Sequence, residues 1–199
     1  MSRFKENATQ AITGNVKDAL RLGCAAIGCT IYPGSDAAYD QKRDIAEMAC
    51  EAKSYGLAVV IWSSPRGGDL SREGETAIDT CAYAAQVAAQ LGEHIIKVKP
   101  PTQHLELAAA KAVYESRKSI SRPRPRAFAM SCNRPSMAGA PSSSRAARPR
   151  TSRGSLPKFA RSATAAAHGS IIGRNTFQRP KEEALAMLDK IIKIYLGKD

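Results

Sequence analysis

Three apolar runs begin near residues 24, 57 and 94, and each is followed by a stretch of helical periodicity. The recurrence of roughly 35 residues is that of a βα unit. Continuous apolar strands alternating with amphipathic helices belong to parallel sheets, whose strands are covered on both faces. The pattern predicts an α/β fold.

Local punctuation agrees. Asn15 to Leu22 predicts a short helix stopped by Gly23, and Cys24 to Ile31 a first strand. After Pro33-Gly34-Ser35, Asp36 is placed to cap a helix running to about Tyr55. Its apolar positions Ile45, Met48, Ala49, Ala52 and Tyr55 share a face, and Gly56 ends it. Leu57 to Trp62 is the second strand, followed by a turn-rich loop to Asp69. A helix from about Glu75 to Leu91 carries Ile78, Cys81, Ala82 and Ala85 on one face, with Gly92 after it. His94 to Lys99 is the third strand and His104 to about Ser116 the next helix. The pattern resumes with a short strand at Gly169 to Ile172 and a turn at Gly173-Arg174-Asn175. A last helix starts at Pro180, turns Leu185, Leu188, Ile192 and Tyr195 inward, and stops at Gly197.

Residues 117–168 break this order. Ten Arg, eleven Ala, ten Ser and six Pro make up 37 of the 52 residues, without apolar periodicity. Such a composition cannot bury enough surface to fold by itself. The chain's formal charge of +12 also resides here. The segment holds twelve Lys and Arg and no acid; removing those twelve from the chain's 30 leaves 18 basic against 18 acidic residues. A basic arm for nucleic acid is one reading. The genetic code offers another, because Arg, Ala, Pro and Ser are what GC-rich DNA encodes out of frame. Over Ala127 to Ala147, the register one base earlier permits a helix, a turn, a strand and then Val-Val-Phe-Ser-Gly-Gly. Over Lys158 to Ala167 the same register permits a second βα-like stretch. The expectation is two compensating frame changes, near 117–121 and near 168, and a chain in three parts: 1–116, 117–168 and 169–199.

Chemistry is concentrated in Ile95-Ile96-Lys97-Val98-Lys99. In a strand, Lys97 and Lys99 share one face and Ile96 and Val98 the other. Desolvation lowers a lysine's pKa, and a neutral amine attacks a carbonyl to form a Schiff base. Lysines snorkelling from a strand end are the bland alternative. No run reaches the length of a membrane span, and Met1 to Gln10 lacks a signal-peptide core. Cys24, Cys29, Cys50, Cys81 and Cys132 lack metal-ligand or CxxC spacing, which predicts reduced thiols in a cytoplasmic protein. His94, His104 and His168 are dispersed and suggest no metal site.

The ordered motifs resemble the class I fructose-bisphosphate aldolases of the archaeal and bacterial DhnA type. The resemblance lies in Ala26-Ile27-Gly28-Cys29-Thr30-Ile31-Tyr32-Pro33-Gly34-Ser35 and in Val59-Val60-Ile61-Trp62-Ser63-Ser64-Pro65-Arg66-Gly67-Gly68. It continues through Ile95 to Lys99 and Ile172-Gly173-Arg174-Asn175. It implies a partial (β/α)8 TIM barrel, with strands like the family's fourth, fifth, sixth and eighth and the basic segment replacing the seventh βα unit. The site is expected at the C-terminal ends of the strands. By resemblance, Lys97 is the Schiff-base lysine, Trp62 the active-site tryptophan, and Gly173 and Arg174 part of the substrate-phosphate loop. Backbone N–H groups at a helix start and an arginine fork both suit an anion.

Three departures go with the resemblance. Ser64 stands where the family has its acid/base tyrosine, and a serine hydroxyl has no suitable pKa for that task. The Ser-Gly-Gly phosphate loop is absent from the frame as written, and so are the first three strands with their aspartate, which suggests a truncated reading frame. The implied reaction is reversible cleavage of fructose 1,6-bisphosphate, with no metal or other cofactor. A phosphorylated sugar is the expected partner, with no membrane and no nucleic acid, and intact relatives are expected to be homo-oligomers. Another Schiff-base aldolase or acyltransferase acting on a phosphorylated ketose is the nearest alternative; a basic nucleic-acid-binding protein is the alternative of another class.

The out-of-frame reading makes a protease prediction. Trypsin cleaves after Arg126 and Arg145 long before it cleaves after Lys42, Arg43 or Lys53 in the helix expected to run to about Tyr55. Equal protection of the two regions contradicts the reading.

Overall fold

The computed structural model describes residues 9–116 and 169–197. Its first part is α1 (Val16–Arg21), β1 (Ala26–Ile31), α2 (Ala38–Ser54), β2 (Ala58–Ser63), a 3₁₀ turn (Gly74–Thr76), α3 (Ile78–Gln90), β3 (Ile95–Lys97) and α4 (Ala108–Ser116). The strands form one parallel sheet in the order β1-β2-β3. This is the alternation the apolar runs predict.

Period-two alternation sorts the sheet into two faces. Ile27, Cys29 and Ile31 of β1, Val59 and Ile61 of β2, and Ile96 with Val98 of the third run pack into one core. The helices close it with Val16, Ile45, Ala49, Ala52, Ala85, Val87 and Ala88. Ser63 belongs to this side too, and its buried hydroxyl donates to the Ala84 carbonyl oxygen at 2.7 Å, so its polarity is satisfied. The intervening residues of the strands form the opposite, more open face.

Helix ends set where the strands begin. Gly23 N–H donates to Leu20 O at 2.9 Å and Cys24 N–H to Ala19 O at 2.9 Å. Gly56 N–H and Leu57 N–H bond to Lys53 O and Ala52 O, each at 3.0 Å. Both are Schellman closures, which require a left-handed residue; Gly23 and Gly56 supply it with φ of 70° and 78°. Because Cys24 and Leu57 give their N–H groups to the preceding helix, the first two strands start at Ala26 and Ala58.

Several expectations are corrected. Asp36 does not cap α2: the N-cap is Ala37, and the Ser35 hydroxyl accepts the Ala37 N–H at 3.3 Å. Tyr55 is half exposed, because it is the C-cap, where the helical phase ends. The helix expected from Glu75 begins at Ile78 after the 3₁₀ turn, and Ala82 is only partly buried, whereas Ala84, Val87 and Ala88 are buried. His104 to Leu107 is not helical, since its backbone is drawn to Ile78 and Asp79.

The second part contains α5 (Arg174–Phe177) and α6 (Lys181–Tyr195). Residues 169–172 form no strand, for none of the three described strands pairs with them. The predicted turn at Gly173 is the N-cap of α5, and Pro180 is the N-cap of α6. On α6 the buried positions are Met187 and Ile191, packed with Ile172, Ile194 and Tyr195. Leu185 and Ile192 are exposed and Leu188 is partly buried. The buried stripe therefore follows the i, i+4 row from Met187, one step away from the expected row. The expected behaviour of residues 117–168, and Cys132 and His168 with them, lies outside the described residues.

Ile61 is fully buried in the central strand. Ile61→Ala is expected to lower stability by about 2–5 kcal/mol, whereas Tyr39→Ala on the exposed side of α2 stays within about 0.5 kcal/mol. Urea unfolding of both variants checks the contrast.

Candidate active site

Sheet register brings the two expected catalytic residues together. Trp62 pairs with Thr30 on one side and with Lys97 on the other. Register partners in a parallel sheet point to the same face, so Thr30, Trp62 and Lys97 form a row across the open side. This row lies at the C-terminal ends of the strands. Ser64 follows one step beyond β2, and its N–H extends the ladder by donating to Ile31 O at 3.0 Å. Alternation returns it to the side of Trp62.

Gly173 and Arg174 belong to the second part. Gly173 O accepts from Thr176 N–H at 2.8 Å, and Arg174 O from Gln178 N–H at 3.2 Å. These bonds define the start of α5 and run within it. The structure thus joins Lys97 and Trp62 in one row, sets Ser64 beyond Trp62 on the same side, and places Gly173 and Arg174 at a helix start without showing them against that row.

Above the row, charged groups are tied to one another. Lys99, the second lysine of the pair, is largely buried and donates to Glu75 Oε2 at 2.7 Å. Arg66 Nε lies 3.9 Å from the same oxygen and is otherwise buried without an acceptor. Its guanidinium stacks over the Tyr32 ring at 5.8 Å. Tyr32, Arg66 and Lys99 follow β1, β2 and β3 respectively, so one cluster spans the loops after all three strands.

A second network fixes the chain after β3. The Glu106 carboxylate accepts the Ser71 N–H and hydroxyl, both at 2.8 Å, and lies 2.8 Å from His104 Nε2. Asp79 accepts the backbone N–H groups of Glu106 at 3.2 Å and Leu107 at 2.9 Å. The Ser71 backbone N–H, followed by His104 and the Ser71 hydroxyl, holds the Glu106 carboxyl down at about 2. Cys81 beneath this region is pushed up to about 12 by burial, against the pull of Lys99, and is an inert core thiol. Among the described residues Cys24, Cys29, Cys50 and Cys81 are all free.

A cleft of about 390 Å³ runs along β1, bounded among others by Ile12, Asn15, Gly28, Asp44 and Met48. It includes neither Trp62 nor Lys97 and lies beside the strand farthest from the lysine. No cluster of His, Cys, Asp and Glu suited to a metal ion occurs among the described residues, and none of their helices is long and apolar enough to cross a membrane.

Sequence reasoning missed Glu75 as the partner of Lys99, the Glu106 network, and Gly28. The first two join residues 24 and 35 positions apart, and no local pattern announces such pairs. Gly28 carried a readable signal, since an isolated glycine within a strand marks close approach by another group.

The sheet is thus a parallel βα arrangement with a lysine and a tryptophan in register at the C-terminal ends of its strands. The chain belongs to the DeoC/LacD family aldolases, whose family model matches residues 3–179. It is 40% identical over 85 residues to the class 1 fructose-bisphosphate aldolase of Thermoproteus tenax, covering 43% of this chain and 32% of that protein. It is 29% identical over 205 residues to the "Probable fructose-bisphosphate aldolase class 1" of Chlamydia muridarum, covering 94% of this chain and 56% of that one. The chain therefore spans between about a third and just over half of these relatives. Among solved structures, an archaeal fructose 1,6-bisphosphate aldolase superposes with a TM-score of 0.78 at 26% identity, over 98% of this chain and 67% of that one. A second archaeal structure with the same values holds its catalytic Lys covalently bound to the carbinolamine intermediate of the substrate. The fold is that of a partial aldolase barrel.

The Glu106 network makes an acid-stability prediction. A carboxyl held at about 2 when folded and near 4.5 otherwise takes up protons first in the unfolded state, so its contribution is complete above about pH 4.5 and lost as pH falls through about 2. Glu106→Gln should flatten the stability profile across that window and leave its shape above pH 5 unchanged. Parallel profiles below pH 4.5 would contradict the role assigned to the network.

Proposed function

We propose that this chain is built for class I aldolase chemistry, the reversible cleavage of fructose 1,6-bisphosphate to dihydroxyacetone phosphate and glyceraldehyde 3-phosphate. The observation that carries the reading is the register of Lys97 with Trp62 on the open face of the sheet. Lys97 Nζ adds to the C2 carbonyl to give a carbinolamine, which loses water to give an iminium. The C3–C4 bond then breaks as the C4 hydroxyl gives up its proton. The bonding pair passes to the iminium, leaving an enamine and the aldehyde. Protonation at C3 and hydrolysis release the ketone and restore the amine. The water lost in forming the iminium is regained on hydrolysis, and the proton lost from the C4 hydroxyl is balanced by the one gained at C3, so the sequence requires no redox partner.

Trp62 is proposed to form the wall beside the reacting carbons, and Ser64, Gly173 and Arg174 to contact the substrate, with the α5 N-terminus and the guanidinium taking a phosphate. The three-part division at 117 and 169 is part of the same proposal: the flanking parts supply the site and the basic segment stands in for an intervening βα unit. Lys97 rather than Lys99 is favoured as the nucleophile, because Lys97 stands in register with Trp62 on the open face of the sheet.

The weak point of the site is proton transfer. Position 64 offers a hydroxyl with no useful pKa, and general acid–base catalysis is typically worth ~10²–10⁴-fold. Ser64→Tyr is expected to raise the rate of fructose 1,6-bisphosphate cleavage by about 10²-fold or more, and Lys97→Met in that background to abolish it. Cleavage that survives Lys97→Met would refute the reading.

A further inference from the structure

Gly28 lies on β1 opposite Val60, one pleat below the pair Thr30 and Trp62. A Cβ built on Gly28 would fall inside van der Waals contact of Cζ3 and Cη2 of Trp62, and 3.3 Å from its Cε3. The indole therefore leans from the central strand across β1, and its six-membered ring fills the volume that a side chain at position 28 needs. Gly28 is absent from the glycines with positive φ. Its backbone suits any residue, so glycine is required here for space and not for conformation. Lys97 flanks Trp62 on the opposite side, on β3.

We propose that Gly28 is a positioning residue: it opens a seat that holds the Trp62 indole over β1, and so fixes the wall that the indole presents beside Lys97. The proposal deepens the Schiff-base reading and rests on it for its catalytic consequence. The seat itself is a packing relation and is tested separately. A methyl group at position 28 has nowhere to go but into the indole, which must swing off β1. The side it can swing towards is that of the lysine.

Trp62 is the only tryptophan of the chain, so its emission reports the seat directly. Gly28→Ala should shift the emission maximum of the full chain and change its quenching by acrylamide. It should also lower the yield of borohydride-trapped dihydroxyacetone phosphate adduct by up to about 10²-fold, the scale of an ångström-sized displacement near the chemistry. A melting-temperature cycle supplies the second readout. Gly28→Ala lowers Tm when Trp62 is present, and leaves it equal or higher in the Trp62→Ala background, where alanine is the better strand residue. If Gly28→Ala alone fails to fold, folding of the double variant supports the seat and failure of both overturns it. Parent-like emission, or the same Tm change in both backgrounds, also overturns it. Absence of adduct from the parent chain counts against the Schiff-base reading, while the emission and the melting cycle still decide whether Gly28 seats Trp62.

Discussion

The sheet's period-two alternation is the constraint on which the rest depends. Burying Val59, Ile61 and Ser63 against the helices forces Val60 and Trp62 to the other side. The same rule along Ile95 to Val98 buries Ile96 and Val98 and turns Lys97 to the other side. The core and the site are thus two faces of one pattern. A slip of one residue in β2 would bury the indole and expose Ile61, losing both together. The apolar half of each strand holds the chemical half in place.

Parallel register then does the work of assembly. Trp62 and Lys97 are 35 positions apart in the chain, yet the ladder makes them neighbours. The loops after the strands lie at the same end of the sheet, where Tyr32, Arg66, Glu75 and Lys99 form one stacked and ion-paired group. Glu106 and Asp79 tie the chain after β3 back to the loop after β2 and to the start of α3. These ties enclose the row from above without contributing to the apolar core. They order the loops at the C-terminal ends of the strands.

Much of this was legible in the sequence. Strand and helix order followed from apolar runs and glycines, because Schellman closures need a left-handed residue and Gly23 and Gly56 provide it. The face of Lys97, opposite Ile96 and Val98, was legible through alternation; Trp62 was singled out by resemblance alone, and it is the register that makes it the neighbour of Lys97. What escaped was set by tertiary pairing. Asp36 has a capping residue's chemistry, yet the loop after β1 hands the first free N–H to Ser35. His104 looked like a helix start, yet Asp79 and Ile78 hold its neighbourhood extended. Leu185 and Ile192 look as apolar as Met187 and Ile191, and only packing with Ile172 and Tyr195 decides which pair is buried. The pairing of Glu75 with Lys99 depends on loops whose course no local propensity dictates.

The central claim is that Lys97, in register with Trp62, is the nucleophile, while its neighbour Lys99 donates to Glu75. Borohydride reduction in the presence of dihydroxyacetone phosphate, followed by peptide mass spectrometry, tests this most directly. The account predicts a covalent adduct on Lys97 and an unmodified Lys99. An adduct on Lys99 with Lys97 unmodified would contradict it.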